Sequence, residues 1–141
     1  MAAPDLDGVV DRVYQILSTD ARTSGIAWYK GRQTLHDIES FPAGAISLAS
    51  GRAQGVSVPS GLGTVAEIAV HIRYVSSAGA SEAELALQRG LEDVIAVLWD
   101  NRDLGHPQVG FFNMEWRVSS APEAEPPYAD AVITLSVTMR S

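Results

Sequence analysis

Apolar residues recur at helical spacing near the start of the chain and predict an amphipathic helix from Asp5 to about Thr19. Pro4, Asp5 and Asp7 suit the start of a helix, because proline fits the first turn and carboxylates are favoured at the positive end of the helix dipole. The apolar stripe of this helix consists of Leu6, Val9, Val10, Val13, Ile16 and Leu17.

A second helix is predicted from Ser81 to about Asn101. Ser81 and Glu84 have the spacing of a capping box, and Gly105 and Pro107 are the stop signals that follow the helix. Its predicted buried stripe consists of Leu87, Leu91, Val94, Ile95 and Leu98.

Alternation with a period of two predicts four strands: "AGAISLAS" (43–50), 64–75, "VGFFNMEWRVSS" (109–120) and the closing "YADAVITLSVTMRS". Each strand from 64 onward has one apolar face. The predicted inward residues are Ile68, Val70, Ile72, Tyr74, Phe112, Met114, Trp116, Val118, Ile133, Leu135, Val137 and Met139. Their outward neighbours are charged, amide or hydroxyl residues, as in antiparallel sheets that are buried on one side only.

Residues 20–42 allow more than one interpretation. "IAWYKG" is compatible with a short strand that ends at Gly31, and "TLHDIESFP" with a helical turn that ends at Pro42. Both interpretations stay open at the level of sequence.

The predicted order is therefore α-β-β-α-β-β, in a single domain over residues 1–141. We expect an α+β fold with a mostly antiparallel four-stranded sheet and two helices packed on one face. The other face would carry charges and hydroxyls and stay open to solvent.

Composition narrows the function classes. The net charge of −7 argues against a broad surface for binding nucleic acid. The absence of cysteine excludes disulfides, thiolate metal sites and cysteine nucleophiles. No apolar run approaches the length of a membrane span, and the acidic start of the chain lacks the layout of a signal peptide. We expect a soluble, non-secreted protein that does not bind membranes.

The glycine-rich stretch 51–63 raises the question of a phosphate-binding loop. Such a loop leads into a helix, whose amides and dipole hold the anion. Here the glycines lead into the alternating segment 64–75, and the sequence lacks a G-K-[ST] signature. The stretch is therefore interpreted as a long connection between two strands, of a length that is usually functional or disordered.

Candidate catalytic and metal-binding groups are few. His36, Asp37 and Glu39 are close in sequence but fit no shared helix face, so a solvated turn is favoured over a metal site. His71 is interpreted as part of a cross-strand polar pair, and His106 as a cap or surface residue. A general-acid pair of Asp100 and Asp103 stays open, although solvated carboxylates are the default. We expect no catalytic residues, no metal and no cofactor.

The layout resembles the tail-terminator family of long-tailed bacteriophages, the lambda-like minor tail protein U. The matching features are Gly31-Arg32, Phe41-Pro42-Ala43, the small-residue strand through Ile46 and Leu48, and the segment 67–72, "EIAVHI". The helix 81–101 and the closing strand complete a match over nearly the whole chain. "APEAEPP" and "WDNRDLGHP" have no counterpart in the family pattern.

The resemblance implies a virion protein without catalysis. Members of that family form a homo-hexameric ring on the finished tail tube, stop polymerisation of the tube protein and present a surface to the head-completion or connector protein. DNA passes through the lumen without specific binding. The chain would then reside at the tail end or neck of the virion, and in the host cytoplasm during assembly.

A ring needs heterologous contacts between subunits, and the open polar face could supply them. The interface candidates on that basis are Arg52, Glu67, His71, Arg73, Glu115 and Arg117. Two alternatives stay open: another head–tail connector ring protein, such as a stopper or adaptor, and a small α+β enzyme or ligand-binding protein.

Overall fold

The computed structural model describes residues 3–31, 41–53 and 62–140, and for Leu62 the backbone only. The elements in these ranges are α1 (Leu6–Thr19), β1 (Ala27–Lys30), β2 (Ala43–Ala53), β3 (Leu62–Val75), α2 (Ala80–Trp99), β4 (Val109–Ala121) and β5 (Tyr128–Arg140). The His36, Asp37 and Glu39 group lies outside the described residues.

The sheet is five-stranded and mixed, with the strand order β1-β2-β3-β5-β4. The prediction of a four-stranded antiparallel sheet is therefore wrong, although the α+β class is correct. The extra strand is β1, which pairs in parallel with β2 and places Trp28 beside Gly44. A four-residue strand is too short to show a period, and its pairing depends on contacts that the local pattern does not contain.

The core lies between the two helices and one face of this sheet. Its central side chains are inaccessible to solvent and come from both helices and from the three central strands. They include Val13 and Leu17 of α1, Leu87 and Leu98 of α2, Ile46 of β2, Ile68 and Val70 of β3, and Ile133 and Leu135 of β5. The alternation predicted for β3 and β5 thus identified the residues that face the helices.

The two helix starts differ from each other. Asp5 caps α1, since its carboxylate oxygen Oδ1 accepts a hydrogen bond from the amide of Gly8 at 3.0 Å. The predicted capping box of α2 is wrong. The cap residue is Gly79, with φ of 126°, and no side chain among the residues that the structure describes caps the helix. Ser81 instead lies inside the first turn, because the chain leaves β3 through a tight turn that glycine accommodates.

The connection between β2 and β3 is shorter than the sequence predicted. β2 continues to Ala53 and β3 begins at Leu62, so Arg52 pairs with Val65 and Ala53 pairs with Thr64. Only residues 54–61 of the predicted connection lie outside the described strands.

The inward residues of β4 are buried only near the beginning of the strand. Phe112 belongs to the core, whereas Trp116 and Val118 are 50% and 56% exposed. β4 is an edge strand that has few contacts with the helices, so these two side chains stay exposed. A register shift between Val109 and Phe111 also leaves Phe111 half-exposed on the opposite face.

Candidate interaction surface

The sheet face that points away from the helices is called the open face here. Its residues form rows across β2, β3, β5 and β4, as the strand register shows. One row holds Arg52, Val65, Thr138 and Phe111. The following rows hold Ser50, Glu67, Ser136 and Asn113; then Ser47, Ala69, Thr134 and Glu115; then Ala45, His71, Val132 and Arg117; then Ala43, Arg73, Asp130 and Ser119.

At one end of the open face, Arg73 and Asp130 form a buried ion pair. They lie directly opposite each other on β3 and β5 and are only 5% and 9% exposed. Arg73 donates from Nε to Oδ1 at 2.7 Å and from Nη2 to Oδ2 at 2.8 Å. Its guanidinium also stacks on the ring of Tyr128, 3.7 Å from the centroid. This geometry is bidentate, the strongest form of an arginine–carboxylate pair.

His71 joins the pair diagonally, with 3.0 Å between its Nε2 and Oδ2 of Asp130. Burial opposes ionisation of Asp130, but the hydrogen bonds from Arg73 and His71 outweigh it and lower the pKa of the carboxyl. Burial likewise opposes the charge of Arg73, but the hydrogen bonds and electrostatic attraction of Asp130 and Tyr128 together outweigh it, so the pKa of the guanidinium is raised. Both partners therefore stay charged and each compensates the charge of the other, as expected of an ion pair that stabilises the fold.

Apolar side chains also occupy this end of the open face. Ala43 and Ala45 are buried and pack with Tyr29 and Phe41 in a small second cluster. The expectation of a face with only charges and hydroxyls is therefore wrong here. The first residues of β2 are small or apolar on both faces of the strand, so the sequence pattern did not reveal which face was covered.

The other end of the open face is polar and concave. Arg52, Glu67, Asn113 and their neighbours line a shallow depression of about 310 Å³. The hydroxyl of Ser50 donates to Oε2 of Glu67 at 2.9 Å. Small hydroxyl residues on β5 form the floor of the depression, so its depth comes from short side chains between longer ones.

All six interface candidates lie on the open face, but they have different roles. His71 and Arg73 share Asp130, and Glu67 is bonded to Ser50. The other three are exposed and make no ion pair or side-chain hydrogen bond within residues 3–31, 41–53 and 62–140: Arg52, Glu115 and Arg117. These three charges are therefore available to a partner molecule.

Sequence reasoning missed Asp130 and Tyr128, the residues that complete the buried group. The available signal was the position of Asp130 on the outward side of an otherwise hydroxyl-rich strand. Only the register of β5 against β3 places it opposite Arg73.

The remaining polar candidates have structural partners. His106 accepts the amide of Gln108 at Nδ1 (3.1 Å), so Nε2 carries the proton and donates to Asp5 at 3.0 Å. That hydrogen bond lowers the pKa of the Asp5 carboxyl. Asp100 accepts from Arg22 at 3.1 Å, and Asp103 accepts from the amide of Gly105 at 2.9 Å. The two carboxylates thus have separate hydrogen-bond partners.

A second surface feature lies on the helix side, beside the free edge of β2. Leu48 is 41% exposed there, and it lines a mainly apolar groove of about 360 Å³. The other walls of the groove come from the start of α1 and from the β2–β3 pair, and include Pro4, Leu6, Gly51 and Ala66.

The described parts of the chain contain neither a metal-binding cluster nor a membrane-spanning helix. No group of three or more histidine or acidic residues there is arranged to hold a metal ion. None of the helices there has the length and hydrophobicity that crossing a membrane requires.

Comparison with known proteins provides a fold relationship. No protein-family model matches the chain, and no curated protein sequence matches it. Among solved structures, the fold is similar to that of a chain in the virion of a native gene transfer agent particle, with a TM-score of 0.55 and 13% sequence identity. The match covers 99% of this chain and 100% of that chain, so the two share one fold from end to end.

Proposed function

We propose that this chain is a structural subunit of a tailed, phage-like virion, and that it caps the completed tail tube as a ring. The observation that carries the proposal is the end-to-end fold match with a chain of a gene transfer agent virion. The match covers 99% of this chain and 100% of that chain, so it extends over the whole fold and not over a shared motif alone. The residue pattern that resembles the tail-terminator family points to the tail end within such a particle.

The chemistry of the described residues supports a role without catalysis. The buried charged group is satisfied internally, because Arg73 and His71 both bond to the carboxylate of Asp130. The depression on the open face is shallow, and its volume of about 310 Å³ is at the low end for a ligand pocket. These features favour a surface for macromolecular contacts over a substrate pocket.

The charge of the chain suits a ring through which DNA passes. With a net charge of −7, the protein would neutralise few phosphates, so DNA would move through the lumen without being held. Strong binding of duplex DNA to the isolated assembly at low salt would contradict this part of the proposal.

The decisive experiment deletes the gene for this chain and images the resulting virus-like particles and tails by electron microscopy. Overlong tails are expected if the chain ends tube polymerisation. Tails of normal length that fail to join heads would instead identify a stopper or adaptor at the neck. Particles of normal form and number would refute a virion role.

A second experiment addresses the hairpin formed by β2 and β3, our candidate contact with the tube. Residues 54–61 are replaced by a two-residue turn, which leaves the paired residues Arg52 and Val65 in place. We expect a folded protein that no longer limits tail length. Tails of normal length with this variant would exclude the hairpin as the tube contact.

A further inference from the structure

The sheet has two free edges, and the strands at these edges run in opposite directions. β4 forms one edge. At the other, β1 pairs only with residues Ala43–Ile46 of β2, and no strand within the described residues pairs with 47–53 on that side. Because β2, β3, β5 and β4 alternate in direction, β4 of one copy would run antiparallel to β2 of a copy placed beside it. This is the orientation needed to continue an antiparallel sheet.

Exposed apolar side chains lie on the helix side of both edges. Trp116 and Val118 project from β4, and both are at least half-exposed. The groove beside β2 lies on the same side and is lined by Leu48, and by Gly51, which has no side chain to fill it. One edge therefore presents a bulky apolar projection and the other presents a matching apolar recess.

Unpaired charges of opposite sign lie on the open face of the same two strands. Glu115 is exposed on β4 and Arg52 is exposed on β2, and neither has an ionic partner within the described residues. An exposed edge strand with three half-exposed apolar residues, Phe111, Trp116 and Val118, is also an unusual feature for a free surface, since such edges invite strand addition.

We propose that a second copy of this chain adds its β2 edge (47–53) to the β4 edge of the first, so that one sheet continues across subunits. In one antiparallel register, Glu115 faces Arg52 of the second copy, and Trp116 lies over Gly51. Arg117 then faces Ser50, and Val118 faces Leu48, because the register shift between Leu48 and Ser50 absorbs residue 49. Every pair in this register lies on the same side of the sheet in both copies.

The contact is heterologous, since the β4 edge of each copy pairs with the β2 edge of the next copy. Heterologous contacts are the kind that close rings. The inference rests on the proposed ring function for its biological meaning, but it is tested on the isolated protein. Main-chain hydrogen bonds would supply affinity, and the Trp116 and Glu115 positions would set the register.

The charge pair gives the first test, read out as molar mass by sedimentation equilibrium across protein concentration. Glu115→Arg or Arg52→Glu alone is expected to weaken self-association at least about tenfold, because like charges then face each other. The double variant Glu115→Arg/Arg52→Glu restores the pair and should return the association constant to about the wild-type value. Arg89→Glu, at an exposed position on α2 that has no ion pair with the described residues, is the control and should leave the association unchanged.

The apolar contact gives a directional test. Trp116→Asp blocks the β4 edge, and Leu48→Asp blocks the β2 edge. Each variant alone should be monomeric, whereas their mixture should form a one-to-one dimer, since one intact contact remains. Because both side chains are at least 40% exposed, circular dichroism and thermal unfolding should show an unaltered fold.

Three results would overturn the inference: a wild-type protein that stays monomeric at all concentrations, charge variants that do not rescue each other, or Leu48→Asp forming a dimer by itself. The last result would indicate that β4 pairs with β4. If these tests fail but the gene deletion gives overlong tails, the proposed subunit contact is wrong and the proposed function still stands. If the contact is confirmed but the gene deletion gives normal tails, the proposed function is wrong and the subunit contact still stands.

Discussion

Arg73 and Asp130 face each other across the two central strands β3 and β5, joined by hydrogen bonds of 2.7 and 2.8 Å. The pair is almost inaccessible to solvent although it lies on the sheet face without helices. Tyr128 stacks on the guanidinium, and Phe41 and Arg73 line the same surface pocket at this end of the sheet. Neighbouring side chains therefore shield the pair from solvent where no helix covers it.

Asp130→Asn should lower the free energy of unfolding by about 3–5 kcal/mol, since removing one partner of a buried pair leaves the other charge uncompensated. Urea denaturation followed by circular dichroism measures the change. Asp11→Asn is the control, because Asp11 pairs with Lys30 at 2.9 Å on the surface, and its loss should be much smaller. Equal losses for the two variants would mean that Asp130 is solvated.

The same pair predicts a dependence on pH. The pKa of Asp130 is lowered from its usual value of 3.8, so the unfolded chain binds the proton more readily than the folded protein. The stabilisation is therefore complete above about pH 4 and is lost as the pH falls through the lower pKa of the folded state. The stability difference between the wild type and Asp130→Asn should narrow in this acidic range. A difference that stays constant from pH 7 to pH 2 would contradict the prediction. Asp5 and Asp20, whose pKa values are also lowered, are present in both proteins and cancel in the comparison.

Gly44→Ala should destabilise the β1–β2 edge by about 1–3 kcal/mol. A Cβ at Gly44 would lie 2.4 Å from Cζ3 of Trp28, and the buried indole cannot move away because its Nε1 donates to the carbonyl of Thr23 at 2.9 Å. Gly25→Ala is the matched control, since a Cβ there meets no atom within 4 Å. Thermal unfolding of the two variants measures the effect. A neutral Gly44→Ala would show that β1 shifts freely.

Thr23→Val should cost about 1–3 kcal/mol of stability, because the buried Thr23 hydroxyl donates to the carbonyl of Leu17 at 2.6 Å and valine cannot. Thr19→Val removes a similar bond, to the carbonyl of Gln15, at an exposed position. Its effect should stay within about 0.5 kcal/mol, as is usual for surface changes. The two are compared by chemical denaturation. If the exposed variant lost as much stability, burial would not be the source of the difference.

The sequence by itself predicted the helices and the faces of the central strands. In β3 and β5 the inward residues are large and apolar and the outward ones are polar, so the period of two determines both the strand and its orientation. Ile68 and Ile133 are examples, and both are inaccessible to solvent. The Asp5 cap of α1 was also predictable, because a cap depends on residues only a few positions apart.

Tertiary structure decided what depends on distant partners. The interpretation of "IAWYKG" as a short strand, which the sequence left open, is confirmed by β1 (Ala27–Lys30). Its parallel pairing with β2 depends on residues that are distant in the sequence, and four residues contain too little pattern to predict that. Trp116 and Ile133 occupy similar positions in alternating strands, yet one is half-exposed and the other buried, because β4 lies at the sheet edge and β5 near its centre. Arg73 was predicted on a solvated face, and it is buried because the register brings Asp130 and Tyr128 to it. Local sequence sets which way a side chain points, while the neighbours that cover it are set by where its strand lies in the sheet.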